Sequence, residues 1–313
     1  MKKRITVIGA GIMGHGIAQA CAIAGNDVHL YDLKEEFIQK ATASIQNNLD
    51  IYVKQELINS GEKDEILQRI YTTIHLQESV KDADIIIEAI PEVIELKWDL
   101  YKSLETMVNE DTIIASNTST LPLSQLITYA KVPSRFIIAH FFNPAHLVPL
   151  VEIVKHETTA QHVVDTTMQF ITSIGKTPVL LKKEVPGFIA NRLQAALLRE
   201  ALHLLYSGVA DAADIDTVIK SGPGFRWAFI GPLETADYGG LDTWKRVLDN
   251  LSPELAKDEG APELICHLVE QNNLGVKTGN GIYNYDKVSV EAELNKRDEN
   301  FIQLAKIKHA QVK

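Results

Sequence analysis

Only two cysteines, Cys21 and Cys266, occur in 313 residues, and neither stands in a CxxC pair. That excludes a disulfide framework and a cysteine-rich metal site, and a chain of this length needs no covalent staple. Long apolar runs are missing as well. No window approaches the roughly 20 apolar residues that a bilayer crossing requires, so no membrane partner is expected. The start, MKKRITVIGAG, is basic, but its apolar run is short and broken by glycines. It fits a buried strand better than a secretory leader. Positive charge is scarce: 31 Lys and Arg stand against 41 Asp and Glu, for a formal net charge of -10. Such a surface argues against a nucleic-acid groove, because phosphate binding needs clustered cations. With no low-complexity segment, internal repeat or Pro/Gly/Ser-rich linker, nothing suggests a largely disordered protein, and with neither a leader nor a bilayer span read in it the chain is expected to be cytoplasmic.

What is present is alternation. As far as residue 185, short β-rich runs alternate with helical stretches, the pattern of a mostly parallel sheet covered on both faces by helices. Strands are expected at Ile5–Ile8, Asp27–Tyr31, Ile85–Ile90, Thr112–Ser116, Phe136–His140, Leu150–Val154 and Thr177–Leu181, with a helical hairpin over residues 34–70. Past Pro186-Gly187 the texture changes, and Phe188, Leu193, Leu197, Leu198, Leu202 and Leu205 recur at helical spacing. The expected class is α/β, with residues 1–185 forming a doubly wound domain and 186–313 an all-α domain. The charged tail after Tyr285 carries Phe301, Leu304 and Ile307, enough for one amphipathic helix.

Gly9-Ala10-Gly11-Ile12-Met13-Gly14 closes the first strand and opens an apolar helix. In such a GxGxxG the first glycine permits a tight turn, the second lets the backbone approach a pyrophosphate, and the third lets helix and strand pack closely. The helix N-terminus adds free N–H groups for phosphates. A second strand follows, and at its end Asp32 suits the adenosine ribose hydroxyls while repelling a 2′-phosphate. The combination marks a Rossmann-type dinucleotide site that takes NAD rather than NADP.

A second cluster begins at His140-Phe141-Phe142-Asn143-Pro144, with Glu152 in the next strand. The turn between the strands can bring imidazole and carboxylate together. Such a pair serves a general base, since the acid fixes the tautomer while the other ring nitrogen takes a proton. Taken without context, a histidine at a strand end is more often a hydrogen-bonded structural residue than a catalyst. Ser116-Asn117-Thr118-Ser119 follows a strand, where its hydroxyls either cap a helix or face a ligand. Asn191 lies early in the first helix of the second domain, facing a cleft or solvent.

Together these motifs resemble the L-3-hydroxyacyl-CoA dehydrogenase family. The matching stretches are GAGIMGHGIAQ, EAIPE (Glu88–Glu92), SNTS (Ser116–Ser119), HFFNP (His140–Pro144), LVEIV (Leu150–Val154), PGFIANRL (Pro186–Leu193) and KTGNGIYNY (Lys277–Tyr285), in order over residues 3 to 286. The resemblance implies His140 as general base, Glu152 as its partner, and Ser119 and Asn191 as groups holding the reacting oxygen. It implies Glu92 and Lys97 near the cofactor ribose and nicotinamide, Asn117 also at the cofactor, Asn143 as support for the catalytic loop, and a homodimer through the helical domain.

Departures bear on the substrate. Residues 145–149 (AHLVP) differ from the acyl-CoA enzymes, and GPGFRWAFIGP (Gly222–Pro232) looks more like the carnitine and L-gulonate dehydrogenase (λ-crystallin) branch. Arg226 there would suit a free carboxylate, or else a structural ion pair. Residues 46–60 offer Lys54 alone, where the acyl-CoA enzymes carry several lysines. Two substrates follow: a short 3-hydroxyacyl-CoA such as 3-hydroxybutyryl-CoA, placed first, and a CoA-free 3-hydroxy acid such as carnitine or a sugar acid. A dinucleotide-binding protein without turnover is the third reading, and Ser119, His140, Glu152 and Asn191 together speak against it.

Overall fold

The computed structural model describes residues 2–285 and 289–311. The chain forms two compact units, Met1–Asn191 with Asp298–Ile302, and Arg192–Arg297 with Gln303–Lys313. The first is built on eight strands: β1 (Arg4–Ile8), β2 (Asp27–Tyr31), β3 (Ile70–Thr73), β4 (Ile85–Glu88), β5 (Ile113–Ser116), β6 (Phe136–Phe141), β7 (Leu150–Val154) and β8 (Thr177–Leu181). They lie in the order β3-β2-β1-β4-β5-β6-β7-β8. All neighbours pair in parallel except β6 and β7.

Central strands such as IIIE and IIAS are buried along their whole length, as parallel strands covered on both faces must be. One face packs α1 (Ile12–Ile23), α2 (Glu35–Lys54) and α3 (Ser60–Gln68) through Ile17, Ile45, Leu49 and Ile66. The other packs α4 (Leu76–Val80), α5 (Ile94–Met107) and α6 (Leu123–Leu126) through Val80, Tyr101, Leu104 and Leu126. Helix α7 (Gln161–Ser173) returns to the first face through Val163, Val164 and Phe170. The chain therefore changes face between β1 and β4, and the C-terminal ends of those strands form the switch point where α/β sheets bind ligands.

Two strand assignments differ from expectation. β3 is not among the expected strands and overlaps the stretch read as helical only at Ile70; Ile70-Tyr71-Thr72-Thr73 is a four-residue edge strand with no fully buried residue. β4 ends at Glu88 rather than Ile90, because the Ile90 N–H donates to the Glu88 side chain at 2.9 Å instead of continuing the ladder. The proline that follows, Pro91, disfavours helix but not this turn.

The helices of the remaining chain are α8 (Ala190–Tyr206), α9 (Ala212–Ser221), α10 (Pro223–Trp227), α11 (Pro232–Gly239), α12 (Leu241–Leu251), α13 (Glu263–Glu270) and α14 (Val290–Gln311). In α14 the apolar residues picked out by sequence, Phe301, Leu304 and Ile307, are exposed, and Ile302 is the buried one at 2% exposure. Among the described residues no helix is long and apolar enough to cross a membrane.

Candidate active site

The first turn of the site is fixed by crowding. Gly9 sits at φ +102°, and a Cβ there would lie 2.5 Å from the Ala89 carbonyl oxygen. A Cβ on Gly14 would lie 1.7 Å from the Gly9 carbonyl oxygen, so strand and helix approach as only glycine allows. Above Gly11 the space is open, with nothing within 4 Å of such an atom. Gly11 is also the N-cap of α1, and no side chain caps that helix. The N–H groups of Ile12, Met13 and Gly14 are thus left for an anion, and the turn fits a pyrophosphate. Asp32 accepts hydrogen bonds from the Ala10 and Leu33 N–H groups, both at 2.7 Å. Each oxygen keeps a lone pair for a ribose hydroxyl.

The second part comes from β6 and β7. Their antiparallel register sets His140 opposite Glu152, and His140 Nδ1 meets Glu152 Oε2 at 3.0 Å. Both are buried, at 5% and 1% exposure. The other Glu152 oxygen accepts from the Ile189 and Ala190 N–H groups at 2.9 Å each, anchoring the start of α8 to the same acid. Burial alone would raise the Glu152 pKa, but the bonds from His140, Ala190 and Ile189 outweigh it and hold the group below its usual range. Glu152 is therefore a carboxylate that only accepts, and His140 must carry its proton on Nδ1. Phe142 and Phe188 pack on the imidazole at ring-centroid distances of 4.5 and 5.4 Å. Nε2 makes no hydrogen bond among the described residues and is the nitrogen left for chemistry.

Around this pair the other sequence candidates fall into three groups. Asn117 locks the strand end that carries His140, its Oδ1 accepting from the Phe141 N–H at 2.8 Å. Ser119 and Asn191 are brought together, with Asn191 Nδ2 donating to the Ser119 carbonyl at 3.3 Å. Asn143 is exposed in the loop after His140. Arg226 is exposed on α10. Among the described residues its guanidinium makes no ion pair or hydrogen bond.

Glu92 and Lys97 belong to a buried network whose centre, Glu88, was not singled out in the sequence. Glu88 accepts from Lys97 Nζ at 2.6 Å, Tyr101 Oη at 2.6 Å, Ser116 Oγ at 2.7 Å and the Ile90 N–H. Lys97 reaches Glu92 at 3.4 Å. Glu92 in turn accepts from Thr118 Oγ1 at 2.6 Å and from the Ser119 and Thr120 N–H groups at 2.9 and 3.0 Å. Burial opposes ionisation of Glu92, yet Thr118, Lys97 and those amides draw its pKa down to about 2. One acid thus fixes the turn bearing Ser119. A single glutamate in the otherwise apolar strand IIIE was the available signal for this network.

The model of the 3-hydroxyacyl-CoA dehydrogenase NAD binding domain matches residues 4–185, and that of the C-terminal domain matches 187–285. Rat mitochondrial hydroxyacyl-coenzyme A dehydrogenase is 38% identical over 90% of this chain and 91% of its own length. The 5-formyl-3-hydroxy-2-methylpyridine 4-carboxylate 5-dehydrogenase of Mesorhizobium japonicum is 33% identical over 98% of both chains. A crystal structure of the dehydrogenase of that name, described as an NAD+ dependent dismutase, superposes with a TM-score of 0.90 at 33% identity over 98% of both chains. The (S)-3-hydroxybutyryl-CoA dehydrogenase of Ralstonia eutropha gives 0.75 at 35% identity over 92% of this chain and 100% of its own. With a glycine turn shaped for a dinucleotide and both family domains spanned, this chain belongs to the 3-hydroxyacyl-CoA dehydrogenase family and is an NAD-dependent oxidoreductase acting on CH–OH groups.

Proposed function

We propose that the chain oxidises the hydroxyl of a small, CoA-free hydroxy acid, with His140 as general base and Glu152 holding its tautomer. Bound NAD supplies the hydride acceptor. His140 Nε2 takes the hydroxyl proton, and Ser119 and Asn191 hold the reacting oxygen. Asp32 accepts from the adenosine ribose and disfavours a 2′-phosphate.

The observation that carries the CoA-free reading is the likeness, along 98% of both chains at a TM-score of 0.90, to an enzyme named for a free pyridine carboxylate. Charge supports it. CoA presents several phosphates, whereas Lys54 is already committed to Glu299 at 2.7 Å. Arg226 makes no ion pair among the described residues, and one guanidinium suits one carboxylate. A short 3-hydroxyacyl-CoA is the second reading, favoured by the 38% identity to the rat enzyme.

The test is NADH formation with L-carnitine, L-gulonate, 3-hydroxybutyryl-CoA and 5-formyl-3-hydroxy-2-methylpyridine 4-carboxylate, whose aldehyde offers a CH–OH only as its hydrate, at equal concentration. Turnover is expected with a free acid, to fall at least about tenfold with NADP, and to show a KM raised about tenfold in Arg226→Met. Turnover confined to the thioester overturns the CoA-free reading.

We also propose a homodimer. Within the second unit Leu202, Thr235 and Ala256 are the only described residues that are buried, while Leu193, Leu198, Phe225, Leu233 and Leu241 are each more than half exposed. So little core does not sustain a unit of this size, and apolar faces this extensive call for cover. A second copy provides it symmetrically. Sedimentation equilibrium is expected to give twice the 34.8 kDa chain mass; a stable monomer at micromolar concentration removes the proposal.

A further inference from the structure

The family domains end at residue 285, and α14 lies beyond them. Its residues Asp298–Ile302 nevertheless belong to the NAD-binding unit. Asp298 and Ile302 are buried there, at 7% and 2% exposure. Glu299 meets Lys54, the last residue of α2, at 2.7 Å. That pair is half-exposed and contributes little by itself; beside it the buried Asp298 carboxylate lies near enough to α2 to act on the Tyr52 phenol.

One turn of contacts leads from this seat to the catalytic strands. Tyr52, two residues before Lys54, donates from its hydroxyl to the His146 carbonyl at 3.1 Å. His146 lies in the loop that leaves His140 and leads to Glu152. Its neighbour Ala145 rests on α1, where a Cβ on Gly16 would come within 3.2 Å of the Ala145 Cβ. Burial first, and then the Asp298 carboxylate, push the Tyr52 phenol well above its usual pKa, so it remains a donor at any working pH.

We propose that Asp298–Ile302 of the C-terminal helix is a positioning element of the catalytic centre, seating α2 so that the Tyr52 hydroxyl holds the loop between His140 and Glu152. Tyr52 and Ile302 are positioning residues, since neither bonds to His140 or Glu152. The proposal rests on His140 being the base. It adds that residues outside both family domains tune the reaction without touching the cofactor turn.

Tyr52→Phe keeps the ring and removes only the donor, and Ile302→Ala loosens the seat. Each is expected to lower kcat about tenfold, because small displacements of a base are costly. KM and the NADH dissociation constant should stay within about twofold, since the glycine turn is untouched. The double variant is expected to be little worse than either single one, because both act through one contact. Wild-type kcat in Tyr52→Phe, fully multiplicative losses in the double variant, or a parallel loss of NADH binding would each overturn the proposal. Should Ile302→Ala not fold, the kcat and KM of Tyr52→Phe decide alone. Failure here with an inactive His140→Ala enzyme sinks only the positioning role; an active His140→Ala enzyme sinks the base assignment itself.

Discussion

Replacing His140 with alanine is expected to lower kcat by at least about two orders of magnitude while NAD still binds. The separation follows from the sheet. The glycine turn and Asp32 close β1 and β2, whereas His140 lies on β6 with three strands between it and β2. Glu152 occupies Nδ1 at 3.0 Å, so if His140 is the base proposed above, Nε2 is the nitrogen that takes the proton, and alanine offers nothing in its place. Water entering the cavity is a poor substitute, because no carboxylate other than Glu152 bonds to that imidazole among the described residues. Glu152→Gln should be the milder change: the amide can still meet Nδ1, but it cannot require a proton there. Rapid-quench measurement of a single turnover, alongside NADH titration by fluorescence, separates the two effects. Near-normal turnover in His140→Ala removes the residue from the mechanism. A matching loss of NADH affinity would instead mean that the variant has disturbed the whole domain.

How much of this was legible beforehand depended on what each residue is read against. The glycine turn announced itself because Gly9, Gly11 and Gly14 stand between an apolar strand and an apolar helix, and the observed contacts at Gly9 and Gly14 leave no room for a side chain. The His140–Glu152 pair was legible as a possibility, since adjacent strands joined through a proline-containing turn must lie side by side. Its register was not, because one residue of slip sends a side chain to the other face. β3 was hidden because an edge strand of four residues has no apolar face to betray it. Ile302 was missed for a related reason: a helix seated by one short stretch need not show a continuous stripe, so Phe301, Leu304 and Ile307 drew the eye instead. The Glu88 network lies beyond any periodicity argument, since its four donors, Lys97 and Tyr101 from α5, Ser116 from β5 and the Ile90 amide just past β4, meet only in the folded sheet.

That network supports the second large expectation. Lys97→Met should destabilise the protein by about 3–5 kcal/mol, the usual cost of removing one partner from a buried ion pair. Lys97 and Glu88 are 1% and 0% exposed and 2.6 Å apart, so neither can be rescued by water. Methionine fills most of the volume, and packing loss is therefore a minor part of the change. Tyr101, Ser116 and the Ile90 amide would still donate to Glu88, but they supply no charge. For a domain of this size a shift of that kind lowers Tm by roughly 10 °C. The double variant Glu88→Gln/Lys97→Met, which removes the stranded carboxylate as well, should recover a substantial part of the loss. Thermal melts of the two variants without cofactor separate this from a direct contact between Lys97 and the dinucleotide. A ligand contact alone would leave the cofactor-free melt unchanged and weaken NAD binding in both variants. A buried keystone shows its effect before any cofactor is added, and shows less of it once its partner is gone.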